Sequence, residues 1–123
     1  GAAANGAEYV TAIQLDSSGN IYLAGKTDGS LGEANAGGYD AFVAKLDSSG
    51  SLDTTFGGTD GIAQLGATLV GTNASSEEFI NTLYIGSGGN LFLGGGTNGS
   101  LGEANAGDYD IFISQLTPSG DAP

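Results

Sequence analysis

The stretch NIYLAGKTDGSLGEANAGGYD, from Asn20 to Asp40, recurs as NLFLGGGTNGSLGEANAGDYD, from Asn90 to Asp110, with 15 identities in 21 positions at an offset of 70. The register extends both ways. Upstream, YVTAIQLDSSG from Tyr9 aligns with FINTLYIGSGG from Phe79, and downstream, AFVAKLDSSG from Ala41 aligns with IFISQLTPSG from Ile111. A fixed internal period marks a repeat architecture in which each copy is one supersecondary unit. The expected organisation is a single all-β domain over 1–123, with repeat 1 at 6–70 and repeat 2 at 75–123.

Within each copy the apolar residues alternate or run in short blocks closed by Gly, Asn, Asp and Ser, which is strand punctuation. Tyr9, Thr11, Ile13 and Leu15 read as one face of a first strand. The turn Asp16-Ser-Ser-Gly-Asn20 leads into a second strand, Ile21 to Ala24. Ala41 to Leu46 is a third, Asp47-Ser-Ser-Gly50 a second turn of the same kind, and Gly61 to Leu65 a fourth strand. In both turns Asp and Ser cap the bend and Gly takes positive φ. No window of ten residues or more carries helical periodicity, so essentially no helix is predicted. The aromatic residues inside strands, Tyr9, Tyr22, Phe42, Phe79, Tyr84, Phe92 and Phe112, are expected in core or cross-strand packing. Repeat 2 reaches Pro123 soon after its third strand. It is therefore expected to be incomplete, with a sheet edge that must be covered, charged or paired.

Composition narrows the chemistry. The 123 residues contain no Cys and no His, which removes the usual soft-ligand metal centres, Ser–His and Cys–His nucleophile systems, and disulfides. Only Lys26 and Lys45 are basic, against 14 acidic residues, for a net charge of −12. A phosphate backbone would be repelled, so nucleic acid is a poor partner. No apolar run approaches the roughly 20 residues of a membrane-spanning helix. The chain has no Met, so residue 1 is not an initiator, and a processed or longer precursor is expected.

The string from Asp16 to Gly25, DSSGNIYLAG, followed from Asn35 to Gly50 by NAGGYDAFVAKLDSSG, resembles the bacterial SBBP (seven-bladed β-propeller) repeat. That pattern reads D-x-x-G-N-x-Y-x-x-G-x-T, then D-A-F-V-x-K-L-x-x-x-G. Repeat 2 keeps Gly89, Asn90, Phe92, Gly95, Thr97, Asp110, Phe112 and Leu116, and places Gly86 and Gln115 where repeat 1 has Asp16 and Lys45. The segment LDTTFG, Leu52 to Gly57, is similar to related bacterial repeats. The resemblance implies four-stranded β-propeller blades, one per repeat, in secreted or surface-attached bacterial proteins, and it does not imply an enzyme. The 70-residue spacing exceeds the usual blade, and two blades cannot close a ring of the usual four to eight.

The best-preserved segment is GSLGEANAG, identical at Gly29–Gly37 and Gly99–Gly107. Two readings stand beside each other. In the first, Asp28, Ser30, Glu33, Asn35 and Asp40, with Asn98, Ser100, Glu103, Asn105, Asp108 and Asp110, supply hard oxygen ligands for Ca²⁺, which takes six to eight oxygens on a flexible frame. In the second, the Asn and Asp side chains bond backbone amides in the loop. Tyr39 and Tyr109 beside these loops are candidate glycan-stacking residues. The sequence thus supports a non-catalytic extracellular or cell-surface structural or adhesive protein that requires no cofactor and self-associates by β-strand complementation. The N-terminal arm Gly1 to Ala7, or Gly61 to Val70, would donate the strand to the edge beside Ala41 to Leu46 or Ile111 to Leu116. The alternative is a Ca²⁺-dependent module binding surface glycans through the duplicated loops.

Overall fold

The computed structural model describes residues 6–31, 33–35, 37–65, 76–100 and 104–123. Each alternating apolar segment has become a strand. β1 (Glu8–Leu15), β2 (Ile21–Thr27), β3 (Asp40–Leu46) and β4 (Ile62–Gln64) form a four-stranded antiparallel meander. β5 (Glu78–Ile85), β6 (Leu91–Thr97) and β7 (Asp110–Leu116) form a three-stranded one. Among the described residues there is no helix. The fold is all-β, as expected. Of the segment suggested as a strand donor, Ile62–Gln64 is already paired with β3, and 66–70 lies outside the described residues, as do 1–5 of the N-terminal arm.

The repeat is reproduced down to register. Ile21 faces Leu46 as Leu91 faces Leu116, and Thr27 faces Asp40 as Thr97 faces Asp110. The turns follow their chemistry. Asp16 Oδ1 accepts the amides of Ser18 and Asn20, while Asp47 Oδ1 accepts those of Ser49 and Ser51. Gly19 and Gly50 then close the bends at φ 83° and 87°, a region in which a Cβ is strained.

One expectation is corrected. The pairing of β1 with β2 slips between Val10 and Ala12, and that of β5 with β6 slips at the equivalent place, between Ile80 and Thr82. A bulge at Thr11 adds a residue to one strand and flips everything beyond it to the other face. Tyr9 therefore lies opposite Lys26 on the side that carries Ala12, while Ile13 and Leu15 point the opposite way. The Thr11 hydroxyl donates to the Ile80 carbonyl, tying one bulge to the other repeat.

Residues paired directly across strands share a face, so each sheet has a front and a back. The front of the first sheet carries Ala12, Tyr22, Ala24, Ala41, Val43 and Ala63; its back carries Val10, Ile13, Leu15, Ile21, Leu23 and Leu46. The second sheet presents its back, Ile80, Leu83, Leu91, Leu93 and Leu116, to the front of the first. These two faces, with Phe56 and Leu65, are the core. Each large apolar side chain buried there contributes about 1.5–3 kcal/mol.

The strand aromatics take both expected settings, core packing for Tyr22 and cross-strand packing for Tyr84 against Phe92, whose rings lie 6.3 Å apart. Tyr22, Phe42 and Phe56 are buried, whereas Tyr9, Tyr84 and Phe92 are exposed. Tyr84 and Phe92 lie on the front of the second sheet, which no other element of the described chain covers.

Candidate functional site

Of the two duplicated loops, that of repeat 1 lies where the repeats meet. Within each loop the short polar side chains bind backbone. Asp28 Oδ1 accepts the Ala7 amide at 2.6 Å, and Asn98 Oδ1 accepts the Glu77 amide at 2.7 Å. Ser30 Oγ accepts the Asn35 amide and Ser100 Oγ that of Asn105. Asn35 Oδ1 accepts Gly37 N–H and Asn105 Oδ1 accepts Gly107 N–H, both at 2.9 Å. These are turn bonds of the kind Asn and Asp make in loops. Glu33 and Asp108 are exposed, and Glu103 lies outside the described residues. Among the described residues, no group of three carboxylates is brought together in a geometry that would hold a metal ion.

Asp40 and Asp110, equivalent in sequence, differ in setting. Asp40 is fully buried, and its Oδ2 accepts from Gln64 Nε2 at 2.8 Å. Gln64, from β4, also donates to Gly29 O and accepts the Leu31 amide, so it pins the loop to the fourth strand. Asp110 is only half-buried, and its Oδ2 accepts the Ala106 amide instead. No fourth strand stands beside β7 among the described residues.

The loop of repeat 1 also clamps repeat 2. Gly38 N–H donates to Ser76 O at 2.9 Å, and Glu78 N–H donates to Tyr39 O at 2.6 Å. Gly37 permits this approach, because a Cβ there would lie 2.6 Å from Ser76 O. At the equivalent Gly107 a Cβ would meet nothing within 4 Å. Gly37→Ala is therefore expected to cost about 1–3 kcal/mol by overpacking. Gly107→Ala is expected to stay within about 0.5 kcal/mol. Urea unfolding of the two variants in parallel, at a dilution where the chain is monomeric, measures the difference.

The loop tyrosines lean on the first aromatic residue of their own repeat. Tyr39 meets Tyr9 edge-on at 6.0 Å, with the Lys26 ammonium 4.2 Å from its ring centre, and Tyr109 meets Phe79 at 5.8 Å. Tyr109 is exposed, and its hydroxyl donates to Glu77 Oε2 at 2.6 Å, a bond that raises its pKa. Tyr39 is half-buried, its pKa raised by hydrogen bonding to the Tyr9 hydroxyl.

In the sequence, Glu78 stands with Glu33, Asp40 and Glu77 only as a conceivable glycoside-hydrolysis carboxylate that no motif selects, and its burial has no local signal. It is buried between the sheets, where its Oε1 accepts from Thr97 Oγ1 at 3.1 Å. The equivalent Glu8, bonded to Thr27, is exposed. Both glutamates open a strand at the same place in the repeat, and only stacking buries one. Burial pushes the Glu78 carboxyl above its ordinary value of 4.5, and the nearby Asp40 and Glu77 push the same way. A raised acid stabilises the fold fully below 4.5, and that contribution is lost as pH rises through the folded value. The turn aspartates act oppositely: Asn20 lowers Asp16, Ser49 lowers Asp47, and the Lys45 ammonium at 2.8 Å takes Asp53 down to about 2. Their contribution is present above 3.8 and lost as pH falls through the lowered values. Stability is expected to peak in mildly acidic solution. Glu78→Gln, which keeps the acceptor for Thr97, is expected to raise Tm at neutral pH and leave it nearly unchanged below 4.5, as read by calorimetry across pH.

Two antiparallel meanders related by one repeat, stacked front to back and tied by a loop, define a repeat protein built from blade-like sheets. Residues 2–33, which include β1 and β2, match the SBBP family, a beta-propeller repeat. No curated protein matches the chain.

Proposed function

We propose that the chain is a non-catalytic repeat protein of the bacterial surface or exterior, with a structural or adhesive role, that self-associates by adding a strand to β7. The observation that supports this is the outer edge of β7. In the first sheet, the Lys45 amide donates outward to Gly61 O and the Lys45 carbonyl accepts outward from Asp53. The equivalent groups of Gln115 point to the side where the second sheet has no fourth strand among the described residues. Alongside runs a cleft of about 280 Å³, walled by Ala63, Gln64 and Leu65 on one side and by Leu116, Gly120 and Asp121 on the other. A strand seated there would satisfy the edge and cover apolar surface of β4.

Sedimentation velocity tests the reading. The chain is expected to exceed monomer mass at micromolar to millimolar concentration. Gln115→Pro, which removes one outward donor but none of the bonds to β6, is expected to lower that mass. A chain that stays monomeric throughout would end the proposal. The alternative, a Ca²⁺-dependent glycan-binding module, draws on the exposed Glu33, Asp108 and Tyr109 at the loops. Saturable heat on calorimetric titration with Ca²⁺ would favour it, and an absence of heat would leave the loops as docking elements.

A further inference from the structure

The interface inside the molecule leaves both of its own halves exposed at the two ends of the stack. Ile80 and Leu83, on the back of the second sheet, are 0% and 5% exposed, while the repeat-equivalent Val10 and Ile13, on the back of the first, are 54% and 59% exposed. Ala41 and Val43, on the front of the first sheet, are both 0% exposed, while the equivalent Ile111 and Ile113, on the front of the second, are 92% and 84% exposed. A second copy of the chain therefore carries, on its first sheet, the kind of surface that the front of the second sheet lacks. The exposed residues that would meet are mainly apolar, and Glu8, the exposed acid on the back of the first sheet, would take the place that Glu78 takes inside the molecule, bonded to Thr27 as Glu78 is to Thr97.

The loop gives a second, independent sign. Gly107 holds the residue that Gly37 needs for close approach to Ser76 O, yet nothing lies within 4 Å of its would-be Cβ. In a stacked copy the partners of Asp108 and Tyr109 would be Gly6 and Glu8, the equivalents of Ser76 and Glu78. The one change in that part of the loop is matched. Gly38 sits where a Cβ would come within 3.0 Å of Glu77 Cγ, whereas Asp108 would face Ala7, which has neither the bulk nor the charge of Glu77.

We propose that copies of this chain stack head to tail, the front of the second sheet of one copy covering the back of the first sheet of the next, with Gly107, Asp108 and Tyr109 clamping the start of the neighbour's β1. This rests on the reading of the chain as self-associating and assigns a second surface, besides the β7 edge, through which the copies meet. Such a contact is heterologous, so it closes into a ring if the rotation permits and otherwise grows as a filament.

The test is made in Gln115→Pro chains, so that pairing at the β7 edge is silent, with circular dichroism to verify folding. Those chains are expected still to associate. Adding Ile13→Asp, which spoils one face, or Ile113→Asp, which spoils the other, is expected to give monomers. Mixing the two variants is expected to give a one-to-one heterodimer by native mass spectrometry, since each retains the half that the other lacks. In the parent chain, Gly107→Val, which meets open space in a single copy, is expected to weaken association at least tenfold. Monomeric Gln115→Pro chains beside an associating parent would overturn stacking and leave strand addition standing. A parent that never associates would remove both. Homodimers of Ile13→Asp alone, or no loss of association with Gly107→Val, would likewise overturn it.

Discussion

Gly25→Ala is expected to lower stability by about 3 kcal/mol or more, and Gly95→Ala to do the same in repeat 2. A Cβ on Gly25 would lie 1.8 Å from the Tyr9 carbonyl oxygen, and one on Gly95 1.8 Å from that of Phe79. Both contacts arise from the bulges at Thr11 and Asn81, which turn a β1 or β5 carbonyl over the neighbouring strand. The obstacle is backbone, so no change of rotamer relieves it. Urea unfolding of each variant at low protein concentration gives the loss. Equal losses are expected, because the two bulges are the same structure 70 residues apart.

Phe56→Ala is the second large effect, about 3–5 kcal/mol for removing a buried aromatic ring. Phe56 comes from the connection between β3 and β4, is fully buried, and meets Tyr22 edge-on at 5.9 Å. Its neighbour Gly57 donates to Ser119 O at 2.8 Å, and Gly120 lies so close to the ring that a Cβ there would be 2.9 Å from it. The residue therefore joins repeat 1 to the last turn of repeat 2. Its loss is expected to broaden the thermal transition as well as lower it, since the sheets lose a shared plug. Leu52→Ala, on the same connection but exposed, is the control and is expected to stay within about 0.5 kcal/mol.

The repeat made much of this legible. Alternation between Gly, Asn and Asp punctuation placed all four strands of the first sheet. The 70-residue offset carried three of them into the second, because identical local patterns pair in identical registers. The turns at Asp16 and Asp47 were readable for the same local reason. The bulge was not. An extra residue in a strand has no signature in an alternating string, so Tyr9 and Ile13 read as sharing a face although they point apart. In the loops, the residue types suited two chemistries. The structure shows Asn35, Asn105, Asp28 and Asn98 bonded to backbone, and gives Gly37 a role that residue type does not announce.

By itself the sequence determined the unit: strands, turns, pairing and the near-identity of two copies all follow from local preference and period. Which of two equivalent residues is buried was decided only in three dimensions. Val43 and Ile113, Glu78 and Glu8, Gly37 and Gly107 occupy matching places in the repeat and opposite environments in the molecule. The physical reason is that burial belongs to the stack and not to the unit: a sheet face loses water only when another sheet lies on it, and a repeated sequence writes the same face twice whether or not anything covers it.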